Sequence, residues 1–131
     1  MSMEFKYMPG RPLILVNESD ECIRELICHI LKSEGYKVVV GKDGEEAVKL
    51  SRVILPDLLI MNFMLPVIHA GKVYSLLRQD PRTETIKILL LSWKKTADEY
   101  CPGVDGFIAK PFDVEELLRM IARLVGLPVE T

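Results

Sequence analysis

The chain has 131 residues, of which 49% are hydrophobic, and a formal net charge of −2 at pH 7. This length suits one domain with a sizeable core, and the near-neutral charge gives no electrostatic basis for binding nucleic acid or an anionic membrane. The sequence contains no apolar run of membrane-spanning length and no secretory signal pattern. We therefore expect one cytoplasmic domain at 12–127, with a flexible leader at 1–11 and a tail at 128–131.

The cysteines are three in number, Cys22, Cys28 and Cys101, and their spacing does not match that of metal ligands. An odd number of thiols without such spacing is typical of proteins in a reducing compartment. We expect these thiols to be buried or incidental, and we expect no metal bound through them.

Short apolar runs bounded by polar, Gly or Pro residues predict five strands. They lie at 13–16, 36–40, within 56–66, at 86–91 and at 107–109. Helical periodicity predicts helices between them, with Ser19 or Asp20 as the N-cap of the first and Asp113 as that of the last. These helices run to about 34, at 45–54, at 72–78 and after 113, and the stretch 93–101 is long enough for two helical turns at most.

The regular alternation of strands and helices implies right-handed crossovers and a parallel sheet covered on both faces. The predicted fold class is α/β, a doubly wound five-stranded parallel sheet with a shortened fourth helix. Polar residues follow or end four of the strands: Asn17-Glu18, Asn62, Ser92 and Lys110. Because the carboxyl ends of parallel strands border the crevice in which such sheets bind ligands, we expect these residues to converge there.

Three motifs carry a resemblance to a known family: L-I-L-V-N-E from Leu13, P-D-L-L-I-M-N-F-M-L-P from Pro56 and G-F-I-A-K-P-F from Gly106. Over 12–127 the chain resembles the receiver domains of two-component response regulators, which have a flavodoxin-like (βα)5 fold. The resemblance implies an aspartate at the end of strand three that accepts a phosphoryl group, and Mg²⁺ held by an acidic pair after strand one.

Three further positions match the family pattern. The resemblance implies that Ser92 is the switch hydroxyl, Lys110 the lysine that contacts the phosphoryl group and Phe107 the aromatic switch residue. The phosphoacceptor position, however, is Asn62. Since an amide oxygen is a far weaker nucleophile than a carboxylate, we expect no acyl phosphate, no catalytic residue and no enzymatic activity.

The acidic pair also departs from the family pattern. One alignment places Asn17 and Glu18 in the pair, and an ungapped alignment from Ile23 places Glu18 and Ser19 there. Mg²⁺ prefers hard oxygen ligands in an octahedron, so we expect its binding to be weak or lost. Trp93 and His69 are bulky residues beside the degenerate site, where they are candidates to fill it.

Lys110 needs compensation if it lies inside the crevice, because a buried ammonium without partners is costly. Glu18, Asn62 and Ser92 are the available acceptors.

These features favour a pseudo-receiver, a phosphorylation-independent module that binds a histidine kinase or another signalling protein. A receiver phosphorylated on another residue, such as Glu18 or Ser92, and a small-ligand sensor are the alternatives.

Overall fold

Five parallel strands form a single sheet with helices on both faces in the computed structural model, which describes residues 10–93 and 101–127. The strands are Leu13–Asn17 (β1), Lys37–Gly41 (β2), Leu58–Asn62 (β3), Lys87–Ser92 (β4) and Gly106–Ala109 (β5). The helices within those ranges are Glu21–Ser33 (α1), Gly44–Ile54 (α2), Ala70–Gln79 (α3) and Val114–Leu124 (α4). The predicted α/β fold class is confirmed.

Three predictions fall wholly or largely outside the described residues. They are the flexible leader at 1–11, the tail at 128–131 and the shortened helix at 93–101.

The strand order is β2-β1-β3-β4-β5, and every neighbouring pair is parallel. This is the established order of flavodoxin-like sheets. The chain runs from β1 outward to β2 and then crosses to β3 on the other side of β1. The loops after β1 and β3 therefore diverge and leave a crevice at the carboxyl edge of the sheet.

Alternating side chains along the strands form two apolar layers, as the period of a strand requires. Leu15, Leu59 and Leu90 pack beneath α2 and α3, whereas their neighbours Ile60 and Leu89 pack beneath α1 and α4. All five of these side chains are at most 1% exposed. Because both faces are covered, the polar strand ends are the places where the sheet can present chemistry.

Acidic N-cap residues fix where three of the helices begin. Asp20 accepts a hydrogen bond from Ile23 N, Asp43 from Glu46 N and Asp113 from Glu115 N. Each bond satisfies an amide that has no partner within its helix. Asp20, rather than Ser19, is therefore the cap of α1, and Asp113 caps α4 as predicted.

Gly44, the first residue of α2, is in close contact with the loop that follows β3. Its N–H donates to Pro66 O at 3.0 Å, and a Cβ atom at this position would collide with the carbonyl oxygen of Ile68. The start of α2 and the β3–α3 loop are thereby held together beside the crevice.

Within the described residues no helix is both long and apolar enough to cross a membrane.

The cysteines provide a solution test of this packing. Cys28 and Cys101 are buried and Cys22 is exposed; burial raises the pKa of the Cys28 thiol and raises that of Cys101 to about 11. Since the thiolate is the reactive form, we expect a thiol reagent at pH 8 to modify Cys22 alone in the native protein and all three cysteines in denaturant. Rapid modification of Cys101 under native conditions would contradict the packing described.

Candidate functional site at the carboxyl edge of the sheet

Backbone hydrogen bonds that continue the ladders hold the residues at the strand ends. Glu18 N donates to Gly41 O at 3.1 Å, and Lys110 N donates to Ser92 O at 2.8 Å. At the end of β3, Asn62 pairs in register with Leu91. The backbones that carry Glu18, Asn62 and Lys110 are therefore fixed by neighbouring strands before any side-chain contact is considered.

Glu18, Asn62 and Lys110 form a closed ring of hydrogen bonds, which we call the crevice ring. Lys110 Nζ donates to Glu18 Oε1 at 2.9 Å and to Asn62 Oδ1 at 3.1 Å. Asn62 Nδ2 donates to Glu18 Oε2 at 3.2 Å. The compensation expected for the Lys110 ammonium is thus supplied by both Glu18 and Asn62.

Two contacts attach the ring to the surrounding loops. Asn62 Nδ2 also donates to the backbone oxygen of Met64 at 3.2 Å, and Asp20 N donates to Glu18 Oε2 at 3.0 Å. The Glu18 carboxylate therefore accepts from three donors: an ammonium, an amide side chain and a backbone N–H. In the Asn62 amide, Nδ2 donates hydrogen bonds and Oδ1 accepts one.

Burial makes these bonds energetically important. Glu18 is 2%, Asn62 7% and Lys110 8% exposed. Charges removed from water are tolerated when they are paired and hydrogen-bonded, and a carboxylate with an ammonium and a neutral amide sums to zero. The crevice ring is thus a neutral, internally paired site.

The other residues predicted for the site lie at its margins. Ser92 is 2% exposed, and Phe107 on β5 packs, partly buried, against the apolar layer beneath α2 and α3. Asn17 is 1% exposed, but its amide lies against Gly41, and neither of its polar side-chain atoms has a hydrogen-bond partner among the described residues. Ser19 is exposed. Of the candidate acidic-pair residues, Glu18 alone takes part in the crevice ring.

The expectation that Trp93 and His69 fill the degenerate site was wrong. Trp93 is 64% exposed. His69 is also exposed, and its Nδ1 accepts from Gly71 N at 3.0 Å as the N-cap of α3, with its ring edge-on to Phe63 at 5.2 Å. A side chain that caps a helix satisfies a local backbone amide, and this bond engages Nδ1 of the imidazole at the start of α3.

The loop between β3 and α3 contains a strained turn. Ile68 N donates to Pro66 O at 2.9 Å, which closes a three-residue γ-turn around Val67 at φ 73°. A β-branched residue is strongly disfavoured at positive φ. Val67 is nevertheless 72% exposed, so packing of its side chain does not explain why it occupies this turn.

Sequence reasoning missed the backbone groups of the site. The carbonyl of Met64 and the N–H of Asp20 complete the hydrogen bonding of Asn62 and Glu18. Every residue carries these groups, so no residue type signals them. The proline at 66 signals only that a turn lies nearby.

Residues 14–122 match the family model for the response regulator receiver domain. The chain belongs to the receiver-domain family. It is 33% identical over 118 residues to the DNA-binding dual master transcriptional regulator RpaA of Synechocystis, a match that covers 87% of this chain and 49% of that protein. It is 36% identical over 124 residues to hybrid signal transduction histidine kinase D of Dictyostelium discoideum, covering 90% of this chain and 8% of that protein.

Among solved structures, the receiver domain of the sensor histidine kinase PA1611 from Pseudomonas aeruginosa is similar, with a TM-score of 0.83 and 27% identity. The match covers 89% of this chain and 99% of that one, which holds a magnesium ion in its active-site cleft. The receiver described here spans about half the length of the curated transcriptional regulators that it matches.

The crevice of this receiver does not fit a divalent ion as its residues stand. The ring contributes one carboxylate, and both oxygens of that carboxylate already accept from N–H donors. The described residues contain no group of three or more His, Cys, Asp or Glu side chains that could hold a metal.

The crevice ring predicts strong coupling between Lys110 and Glu18. Removing one partner of a buried pair leaves the other uncompensated, so Lys110→Met and Glu18→Gln should each lower the free energy of unfolding by about 3–5 kcal/mol. The double variant should lose clearly less than the sum, as measured by urea denaturation.

The surface pair Arg119 and Glu115 provides the matched control for this cycle. Their charged atoms are 3.9 Å apart, with side chains 56% and 82% exposed. Arg119→Met and Glu115→Gln should combine additively to within about 0.5 kcal/mol. Additive losses for Lys110 and Glu18 as well would refute the coupling.

Because valine is disfavoured in this γ-turn, we expect that replacing Val67 by a residue suited to positive φ will stabilise the protein. Asparagine tolerates positive φ, so Val67→Asn should raise the free energy of unfolding by about 1 kcal/mol. Val53→Asn is the control, because Val53 is 78% exposed within α2, and it should change stability by less than about 0.5 kcal/mol. A Val67→Asn variant that is less stable than wild type would show that the backbone at Val67 is not strained.

Proposed function

We propose that this chain is a pseudo-receiver: a receiver domain that works in signal transduction without phosphorylation, as a protein-interaction module held in one conformation. The observation that carries this proposal is the Asn62 amide at the carboxyl end of β3, hydrogen-bonded on both sides within the crevice ring. An amide oxygen is neutral and weakly nucleophilic, and this one is also engaged by an ammonium. Phosphoryl transfer to position 62 therefore has no suitable nucleophile.

A closed ring also supports a single conformation. A switch needs two arrangements of similar free energy, and a ligand or modification must favour one of them. The Lys110 ammonium donates to both of its ring acceptors at 3.1 Å or less, and these two bonds favour one position of the side chain. We infer that the domain signals by docking alone and carries no enzymatic activity.

The proposed partner is a protein, either a histidine kinase or another component of a two-component pathway in the cytoplasm. The DNA-binding named for RpaA belongs to a protein about twice as long as the matched region. The net charge of −2 gives no electrostatic argument for binding nucleic acid. Contact with DNA is therefore not part of the proposed function.

The phosphorylation alternatives have less support. Glu18 is 2% exposed and its carboxylate accepts three hydrogen bonds, so an incoming phosphoryl donor would have to displace them. Ser92 is equally buried. The ligand-sensor alternative places a pocket around His69, Trp93 and Lys110, but His69 and Trp93 are exposed and Lys110 is engaged in the crevice ring.

Intact-mass measurement after incubation with acetyl phosphate and Mg²⁺ tests this proposal. We expect no added phosphoryl mass on the wild-type chain, while a receiver with an aspartate at the acceptor position, treated in parallel, gains one. A phosphoryl adduct on any residue of the wild-type chain would overturn phosphorylation independence, and peptide mapping would show whether Glu18 or Ser92 carries it.

A docking measurement tests the remainder of the proposal. Once a partner has been isolated with the immobilised wild-type domain, its affinity should be unchanged by acetyl phosphate and reduced in Lys110→Met, where the ring is broken. An affinity that depends on acetyl phosphate but not on Lys110 would contradict the proposal.

A further inference from the structure

The oxygen atoms in the crevice accept hydrogen bonds from N–H groups of the chain itself. Glu18 Oε2 and Met64 O both accept from Asn62 Nδ2, each at 3.2 Å. Glu18 Oε1 and Asn62 Oδ1 both accept from Lys110 Nζ. Two nitrogen atoms thus provide four hydrogen bonds to four oxygen acceptors.

The position of Asn62 Nδ2 is decisive, because a side-chain oxygen there would face two oxygens. In a carboxylate at position 62, the atom that replaces Nδ2 would face Glu18 Oε2 and Met64 O at about the present 3.2 Å separations. Asp20 N would still donate to Glu18 Oε2, but no donor would bridge the three oxygens. Two carboxylates and a backbone carbonyl around one point are hard oxygen ligands of the kind that Mg²⁺ binds.

We propose that the amide nitrogen of Asn62 takes the place of a bound divalent cation, so that a single atom, Nδ2, decides whether this crevice admits one. This inference rests on the proposed function in one respect: both require the crevice ring to be present in the unphosphorylated domain. It concerns cation binding by the unphosphorylated protein.

Lys110 contributes the second part of the exclusion. Its ammonium supplies the positive charge that the Glu18 carboxylate needs, and it does so 2.9 Å from Oε1 inside a buried site. With the charge of Glu18 already balanced, a divalent ion would add two uncompensated charges to a poorly solvated site. An aspartate at position 62 changes this balance, because it leaves the ring with a net charge of −1.

Thermal unfolding of wild type and Asn62→Asp in EDTA and in millimolar Mg²⁺ tests the proposal. The wild-type melting temperature should be the same in both solutions. Asn62→Asp should melt below wild type in EDTA, because its oxygens repel one another, and Mg²⁺ should raise its melting temperature by several degrees through binding to the native state.

Two further variants assign the effect to the proposed atoms. Asn62→Leu has a similar shape without polar atoms and should not respond to Mg²⁺. Asn62→Asp combined with Glu18→Gln lacks the second carboxylate and should lose most of the response of the single variant. An Mg²⁺ response in Asn62→Leu, or an undiminished response in the double variant, would overturn the assignment.

Calorimetric titration of the wild-type chain with Mg²⁺ tests the proposal without any variant. Heat of binding with a dissociation constant below about 1 mM would overturn it, and no binding is expected. If Asn62→Asp is unfolded in EDTA, far-ultraviolet circular dichroism decides: folding on addition of Mg²⁺ supports the proposal, and no change overturns it. Neither outcome produces a phosphoryl mass, so failure here is distinguishable from failure of the proposed function.

Discussion

The buried ammonium of Lys110 is the constraint on which the carboxyl edge of this domain depends. A positive charge that is 8% exposed requires a counter-charge and hydrogen-bond acceptors within reach, and Glu18 and Asn62 provide them. Their placement follows from the strand order, since β1 and β3 are neighbours and β5 lies two strands beyond β3, on the far side of β4. The caps, ladder bonds and loop contacts around the crevice then serve to hold three side chains in one geometry.

The chain belongs to the receiver family, yet its residue at position 62 differs from the aspartate that the family resemblance implies. The matched region covers residues 14–122, and Lys110 and Ser92 stand where the sequence resemblance implies the lysine and the hydroxyl of the family. The side chain at position 62 has nearly the shape of an aspartate, yet one of its two terminal atoms donates where a carboxylate would accept. The fold is thus that of a receiver, while the hydrogen bonding in the crevice depends on the polarity of this one atom.

The sequence predicted most of the fold because its signals are local. The two-residue period of the strands, the helical period and the cap residues Asp20 and Asp113 act over a few positions, and tertiary packing shifted the element boundaries only slightly. The strand ends predicted the convergence of Glu18, Asn62 and Lys110, whereas Asn17, which was predicted to converge with them, lies outside the crevice ring. Contacts made by backbone atoms could not be predicted, nor could the outward placement of Trp93 and His69, because each depends on loop geometry that residue type does not specify.

The crevice ring joins parts of the chain that are far apart in sequence. Its bonds connect residues separated by 44, 48 and 92 positions, so it can close only after β1, β3 and β5 have all entered the sheet. Contacts of such long range form late in folding, after the entropy of loop closure has been overcome. Interactions absent from the folding transition state chiefly slow unfolding. The ring should therefore slow the unfolding of the native domain and have little effect on its folding rate.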